Sequence, residues 1–150
     1  MARHKIETVV IDPGHAFKQN LGYGGYYESE GNLMFSLYFR DALKALGASV
    51  YMTRESHTHD PSLTVRGQTG PARRADAFIS VHSDANGNRD RRGVHLIRSV
   101  NWPSNHDYGV EFCRVTAQAM GIPLRDRPVW TRESESRKGF DWYTVVDNAA

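Results

Sequence analysis

The sequence predicts an α/β protein: a three-layer α/β/α sandwich with a mostly parallel central sheet. Three observations carry that expectation. Short apolar runs, "VVI" at 9–11 and "AFISV" at 77–81, read as strands buried in a core. Stretches of helical periodicity separate such runs, and strands alternating with helices favour a parallel sheet covered on both faces. At 150 residues, 39% hydrophobic and 24% charged, the chain is long enough to bury one core, so a single domain spanning 1–150 is expected.

Each element follows in order. The first strand covers about 5–11 and runs into Asp12-Pro13-Gly14, where proline fixes φ and glycine permits a turn. The glycine-rich loop at 22–27 has a GxGG pattern, but no G-K-[ST] completes a phosphate cradle. A helix spans 29–46. Leu33, Met34, Leu37, Tyr38 and Leu43 form its apolar side, Arg40, Asp41 and Lys44 its polar stripe, and Gly47 ends it. A second strand covers 48–53 and is followed by the polar loop "ESHTHDPS". A helix from 63 or 64 to 75, made irregular by Gly67, Gly70 and Pro71, leads to a third strand at 77–82. A fourth strand, "GVHLIRS", precedes a helix over 105–120 with Tyr108, Phe112, Val115 and Ala119 on one face. Gly121 and Pro123 stop that helix, and "DWYTVVD" at 141–147 reads as a fifth strand. There is no repeat, linker or low-complexity segment.

Composition excludes several classes. The net charge of +2 and pI of about 8.8 are only mildly basic, and the short clusters Arg73-Arg74 and Arg89–Arg92 read as solvated loops, so no nucleic-acid partner is expected. Mean hydropathy is −0.58, and no apolar run approaches the ~20 residues of a spanning helix, so no membrane partner is expected either. Met1 to Lys5 enter the first strand with no apolar signal region, so cytoplasmic synthesis, or cutting from a longer precursor, is expected. Cys113 is the sole cysteine, so any metal is held by nitrogen and oxygen.

His15 stands just past the first strand and His82 at the end of the third. In a parallel sheet both ends lie on one edge, where open α/β sheets bind ligands, so the two imidazoles converge although 67 positions separate them. Glu28 and Glu30 open the helix that follows the glycine-rich loop. Either could simply favour the helix N-terminus, or complete a His-Glu-His site with an open fourth position.

These residues carry a resemblance. "VVIDPGH", "ESEGNLMFSLYFRDALKALGASVYMTR", "SLTVRGQTGPARRADAFISVHSDA" and "RRGVHLI" occur in the order of the zinc-dependent N-acetylmuramoyl-L-alanine amidases, the cell-wall hydrolases of bacterial autolysins and phage endolysins, and the chain resembles that family over most of its first hundred residues. The resemblance implies Zn2+ held by His15, Glu28 and His82. Glu28 is preferred because it lies four before Asn32-Leu33, as in the family's E-x-x-x-N-L, with Glu30 the alternative. It implies hydrolysis of the amide between N-acetylmuramic acid and L-alanine, with peptidoglycan, a muramyl peptide, as the partner. A monomer that reaches the wall after release is expected, and Arg66 matches a family arginine whose role is structural support.

The family's proton-shuttling glutamate follows its last core strand. Here no glutamate lies beyond Glu135, and Glu133 and Glu135 fall in an expected loop, so no catalytic base is assigned. The expectation is a domain lacking its C-terminal strand and helix, with Asp84 the substitute if the chain is fully active. The rival reading is a catalytically silent, zinc-containing module that binds peptidoglycan. Of the remaining histidines, His57 and His59 read as solvent-exposed, His95 as a strand residue and His106 as a helix start. Tyr23, Tyr26, Tyr27, Trp102 and Trp130 fall in expected loops, where they either stack on sugar or pack locally.

Overall fold

A computed structural model describes residues 6–84, 92–102 and 106–149. Met1–Lys5, the basic residues Arg89–Arg91 and the expected helix start at Asn105 lie outside them. The chain forms two compact units. The first, up to residue 84, contains β1 (Thr8–Pro13), α1 (Glu28–Ala45), β2 (Ser49–Met52), α2 (Leu63–Ala72) and β3 (Ala77–Val81). The second, from 92 to 148, contains β4 (Val94–Ile97), α3 (His106–Met120), β5 (Leu124–Trp130) and all but the last residue of α4 (Thr144–Ala149). All pairings between the described strands are parallel, as the alternation of strands and helices predicts.

β1 is the middle strand of the first unit, paired with β2 on one side and β3 on the other. Val9, Val10 and Ile11 are buried on both faces, which is why the run is continuously apolar rather than alternating. The register sets Ile11 beside Met52 and Pro13 beside Val81.

The next residue of β1, Asp12, is fully buried and ionic. Arg66 of α2 meets its carboxylate with both ends of the guanidinium fork, Nε to Oδ1 at 2.7 Å and Nη2 to Oδ2 at 2.9 Å. The hydroxyl of Thr53, just past β2, donates to Oδ1 at 2.5 Å, and that of Ser80 in β3 donates to Oδ2 at 2.6 Å. Burial pushes the Asp12 carboxyl up, but Arg66 and the two hydroxyls outweigh it and hold the group below its ordinary value. Arg66 thus has the structural role expected of it.

α1 packs on β1 and β2, but of the apolar side expected for it only Leu33 is buried. Met34 is 60% and Tyr38 73% exposed, whereas Glu28, Ser29, Asn32, Leu33 and Ser36 are buried. The inward stripe is therefore the i, i+4, i+8 row Glu28-Asn32-Ser36. Its small serines permit close approach, and its glutamate and asparagine serve the end of β1. Gly47, at φ 88°, ends the helix as expected. α2 is capped by the Ser62 hydroxyl, which accepts from the Val65 N–H, and stops at Ala72 rather than at 75.

In the second unit α3 packs on β4 and β5 through the row Gly109-Cys113-Ala117. The expected face is rotated outward: Tyr108 and Val115 are about half exposed. Gly109 suits the close contact, since a Cβ there would lie a tight 3.1 Å from a Val129 methyl. The expected strand at 141–147 is not formed; α4 occupies its second half. The β-branched run Thr144-Val145-Val146 favours a strand locally, but Asp147 Oδ1 accepts the Asp141 N–H at 3.1 Å and Asn148 Nδ2 donates to the Thr144 carbonyl at 2.8 Å, bonds that favour the coiled backbone. The fifth strand is instead "LRDRPVW", obscured in the sequence by three charges and Pro128. Trp130 therefore ends a strand, with its ring stacked on His95. No helix among the described residues is long and apolar enough to cross a membrane.

The Asp12–Arg66 pair yields a stability prediction. Arg66→Met leaves a buried carboxylate unpaired and is expected to cost ~3–5 kcal/mol at neutral pH. Because the folded pKa of Asp12 is lowered, its contribution is present above the unfolded carboxylate value of about 4 and is lost as pH falls through the folded value. Urea unfolding should therefore show the gap between wild type and Arg66→Met narrowing from pH 7 to about pH 3; a gap that is constant with pH would refute this role.

Candidate metal centre

β1 and β3 are adjacent and parallel, so the chain leaves both at one edge, with the Gly14 N–H bonded to the Val81 carbonyl at 2.9 Å. His82 follows Val81 directly, and its ring lies over the backbone of Gly14. A Cβ on Gly14 would come within 2.6 Å of His82 Nε2, so glycine is needed there for the ring to sit where it does. His15 adopts a left-handed backbone, φ 58°. Its ring meets that of His82 edge to face, with centroids 4.9 Å apart.

Glu28, the first residue of α1, sits between the two imidazoles. Its Oε1 is 3.0 Å from His82 Nδ1 and its Oε2 is 3.4 Å from His15 Nε2. The carboxylate is held from several sides: Asn20 Nδ2 donates to Oε2 at 2.9 Å, and Asn32 Nδ2 and the Ser83 N–H donate to Oε1 at 3.3 and 3.0 Å. Asn20 Nδ2 also lies 2.9 Å from His15 Nε2.

Behind this triad lies Arg54, 2% exposed. Its guanidinium donates to the carbonyls of Pro13 and Gly14, each at 3.0 Å, and of Ser29 at 2.8 Å. One buried cation thus ties the turn that carries His15 to the first turn of the helix that carries Glu28.

The electrostatics suit a cation. Burial raises the Glu28 carboxyl, but the hydrogen bonds from His82, Asn20, Ser83 and Asn32 dominate and bring it down to about 2, so it is ionised at neutral pH. Burial pushes the His15 imidazole below its ordinary pKa, with Glu28 opposing and His82 assisting, which favours the neutral ring that coordinates metals. One nitrogen or oxygen from each of His15, Glu28 and His82 lies within 4.8 Å of the other two, the only such triad among the described residues. With the His15 and His82 side chains 28% and 43% exposed, the triad is open to solvent. Two imidazoles, one carboxylate and an open side are compatible with a metal site.

The structure therefore brings together the three residues singled out in the sequence. Glu30 is not among them; it lines a groove along α1 with Leu33, Met34, Leu37 and His57. His57 and His59 are exposed, and His106 opens α3 beside Asp107. Tyr23 is 84% exposed, Trp102 is exposed, and Tyr27 lies under the Lys18 ammonium. In the second unit Glu133 Oε1 accepts the Gly139 N–H at 2.6 Å, and Glu135 is exposed. Of the supporting residues, Asn20 is not singled out in the sequence, and Arg54 only as the last residue of the stretch "GASVYMTR", with no role assigned. Asn20 carries no periodic signal, and the bonds of Arg54 to carbonyls distant in the chain leave none either.

Comparison with known proteins accords with this geometry. The family model for N-acetylmuramoyl-L-alanine amidase matches residues 9–144. N-acetylmuramoyl-L-alanine amidase AmiC of Neisseria meningitidis is 33% identical over 118 residues, covering 76% of this chain and 28% of that protein. Amidase LytC of Bacillus subtilis is 34% identical over 126 residues, 83% of this chain and 25% of that protein. Among solved structures, Cwp6 from Clostridium difficile superimposes with a TM-score of 0.80 at 25% identity, over 96% of this chain and 23% of that one. The chain thus spans about a quarter of the length of these relatives. With its α/β fold, its parallel strands and a family match over nearly its whole length, the chain belongs to the Amidase_3 family of N-acetylmuramoyl-L-alanine amidases.

Proposed function

We propose that the chain is a zinc-dependent amidase domain that hydrolyses the bond between N-acetylmuramic acid and L-alanine in peptidoglycan, acting at the cell wall as a monomer. The observation that carries this reading is the His15-Glu28-His82 triad on the sheet edge of a chain in this family. Zinc is the metal that best suits two imidazoles and a carboxylate with an open side. When bound it supplies Lewis acidity toward the amide carbonyl and an activated water.

The chain's own residues divide the remaining work. His15 and His82 offer nitrogen, and Glu28 offers negative charge close to both. Glu28 is a poor proton shuttle: its carboxyl is held at about 2, and both its oxygens already accept hydrogen bonds. Moving the proton from water to the leaving amine calls for a second carboxylate, and Asp84, exposed and two residues past His82, is the one to test in this unit.

Metal analysis of the purified chain should give about one zinc per chain. His82→Ala and Glu28→Gln should lower zinc affinity by more than the ~10–100-fold typical of an outer-shell change, and Glu30→Gln should leave it unchanged. Full zinc in His82→Ala would sink the site, and loss in Glu30→Gln alone would move it by two residues.

On purified peptidoglycan the active chain should release stem peptides with new L-alanine amino termini and no new reducing sugar ends. A chelator should stop this and zinc should restore it. Binding to the wall without release would favour the silent module, and reducing ends would replace the amidase by a glycosidase. If Asp84 is the shuttle, Asp84→Asn should lower the rate ~10²–10⁴-fold at unchanged zinc content; an unchanged rate would remove it from that role.

A further inference from the structure

The loop between Asn20 and α1 brings a phenol to the metal centre. A Leu21–Tyr27 bridge and the Gly22 N–H, bonded to the Tyr26 carbonyl at 2.6 Å, close this loop. Gly24 and Gly25, at φ 75° and 82°, form the turn between them. The Tyr26 side chain then folds back across the first turns of α1, where Gly31 makes room for it. A Cβ on Gly31 would lie 2.7 Å from Tyr26 Cζ and closer still to its hydroxyl. Glycine is unfavourable within a helix, and here its missing side chain is the space that the ring occupies. The Tyr26 hydroxyl lies 3.2 Å from Ser83 Oγ, and the Ser83 N–H is the donor to Glu28 Oε1, the oxygen facing His82 Nδ1.

We propose that Tyr26 is a positioning residue for the Glu28–His82 arm of the metal centre, its phenol pinning the Ser83 side chain so that the Ser83 N–H stays on Glu28. This rests on the triad holding a metal. Tyr26 is 48% exposed and is not part of the apolar core. Its hydroxyl is two hydrogen bonds removed from Glu28, so the expected effect is that of one hydrogen bond rather than of a ligand. Partners that orient a ligand tune metal affinity in this way.

The test is zinc affinity of the full chain, measured by competition with a chromogenic chelator, together with the visible spectrum of the Co2+-loaded chain. Tyr26→Phe removes only the hydroxyl, and Ser83→Ala removes only its partner while keeping the N–H. Each is expected to weaken zinc binding about 3–10-fold and to shift the Co2+ bands, and the double variant should be no weaker than either single one. Gly31→Ala, whose Cβ evicts the phenol, should match them. The unfolding midpoint of metal-free Tyr26→Phe should equal that of wild type. Wild-type zinc affinity in Tyr26→Phe, or single losses that add in the double variant, would overturn the proposal while leaving the metal centre intact. A raised KM at unchanged zinc affinity would overturn it too, making Tyr26 a substrate contact. A wild-type chain that takes up no zinc would bring down the metal reading and this proposal together.

Discussion

The buried carboxylate of Asp12 is the constraint on which the first unit is built. An unpaired charge in that position would be costly, so its partners must arrive together: Arg66 from α2, Thr53 from the end of β2 and Ser80 from β3. Four parts of the chain are thereby fixed around one residue, and that residue stands three positions before His15. Satisfying the charge therefore also sets the sheet edge at which His15 and His82 leave their strands. Arg54 extends the logic one step outward. Beyond Pro13 the chain has left the sheet, and the carbonyls of Pro13 and Gly14 need donors, which its guanidinium supplies while it also holds the Ser29 carbonyl.

The His15-Glu28-His82 triad inherits its order from this scaffold. Glu28 is steadied by His82, two asparagines and a backbone N–H, and these bonds together outweigh burial to keep it ionised. α1 is shaped by the same demand. It turns Glu28, Asn32 and Ser36 inward beside Leu33 and leaves Met34, Phe35 and Tyr38 exposed, so only part of its apolar side is buried.

The second unit solves its own packing by a similar exchange of size for closeness. Gly109, Cys113 and Ala117 bring α3 onto β4 and β5, and the buried Asp141 carboxylate accepts from the Ser99 hydroxyl and the Val100 N–H. Aromatic rings beyond β5 are covered by cations, Arg132 over Trp142 at 4.1 Å and Arg137 over Phe140 at 3.6 Å.

The sequence by itself determined the α/β class, four of the five strands, the first three helices and the three residues of the triad. The strands and the two histidines were legible because each depends on local pattern, a β-branched run ended by Asp-Pro-Gly and a histidine at the end of each of two apolar strands. Glu28 was separated from Glu30 only by the resemblance to the family's E-x-x-x-N-L. Tertiary structure decided which face of each helix is buried: Ser36 and Gly109 face inward although neither is apolar, and at Gly109 the space a side chain would need is taken by Val129. It decided that Thr144-Val145-Val146 coils while Leu124–Trp130 extends, because hydrogen bonds of Asp147 and Asn148 and the pairing with β4 override propensity there. It also decided the roles of Asn20, Asn32, Ser83 and Arg54 around Glu28. Asn20 and Asn32 reach Glu28 from eight and four positions away, but the bonds of Arg54 to Pro13 and of Ser83 to Glu28 join residues far apart in the chain, and no periodicity along the sequence records a partner met only on folding.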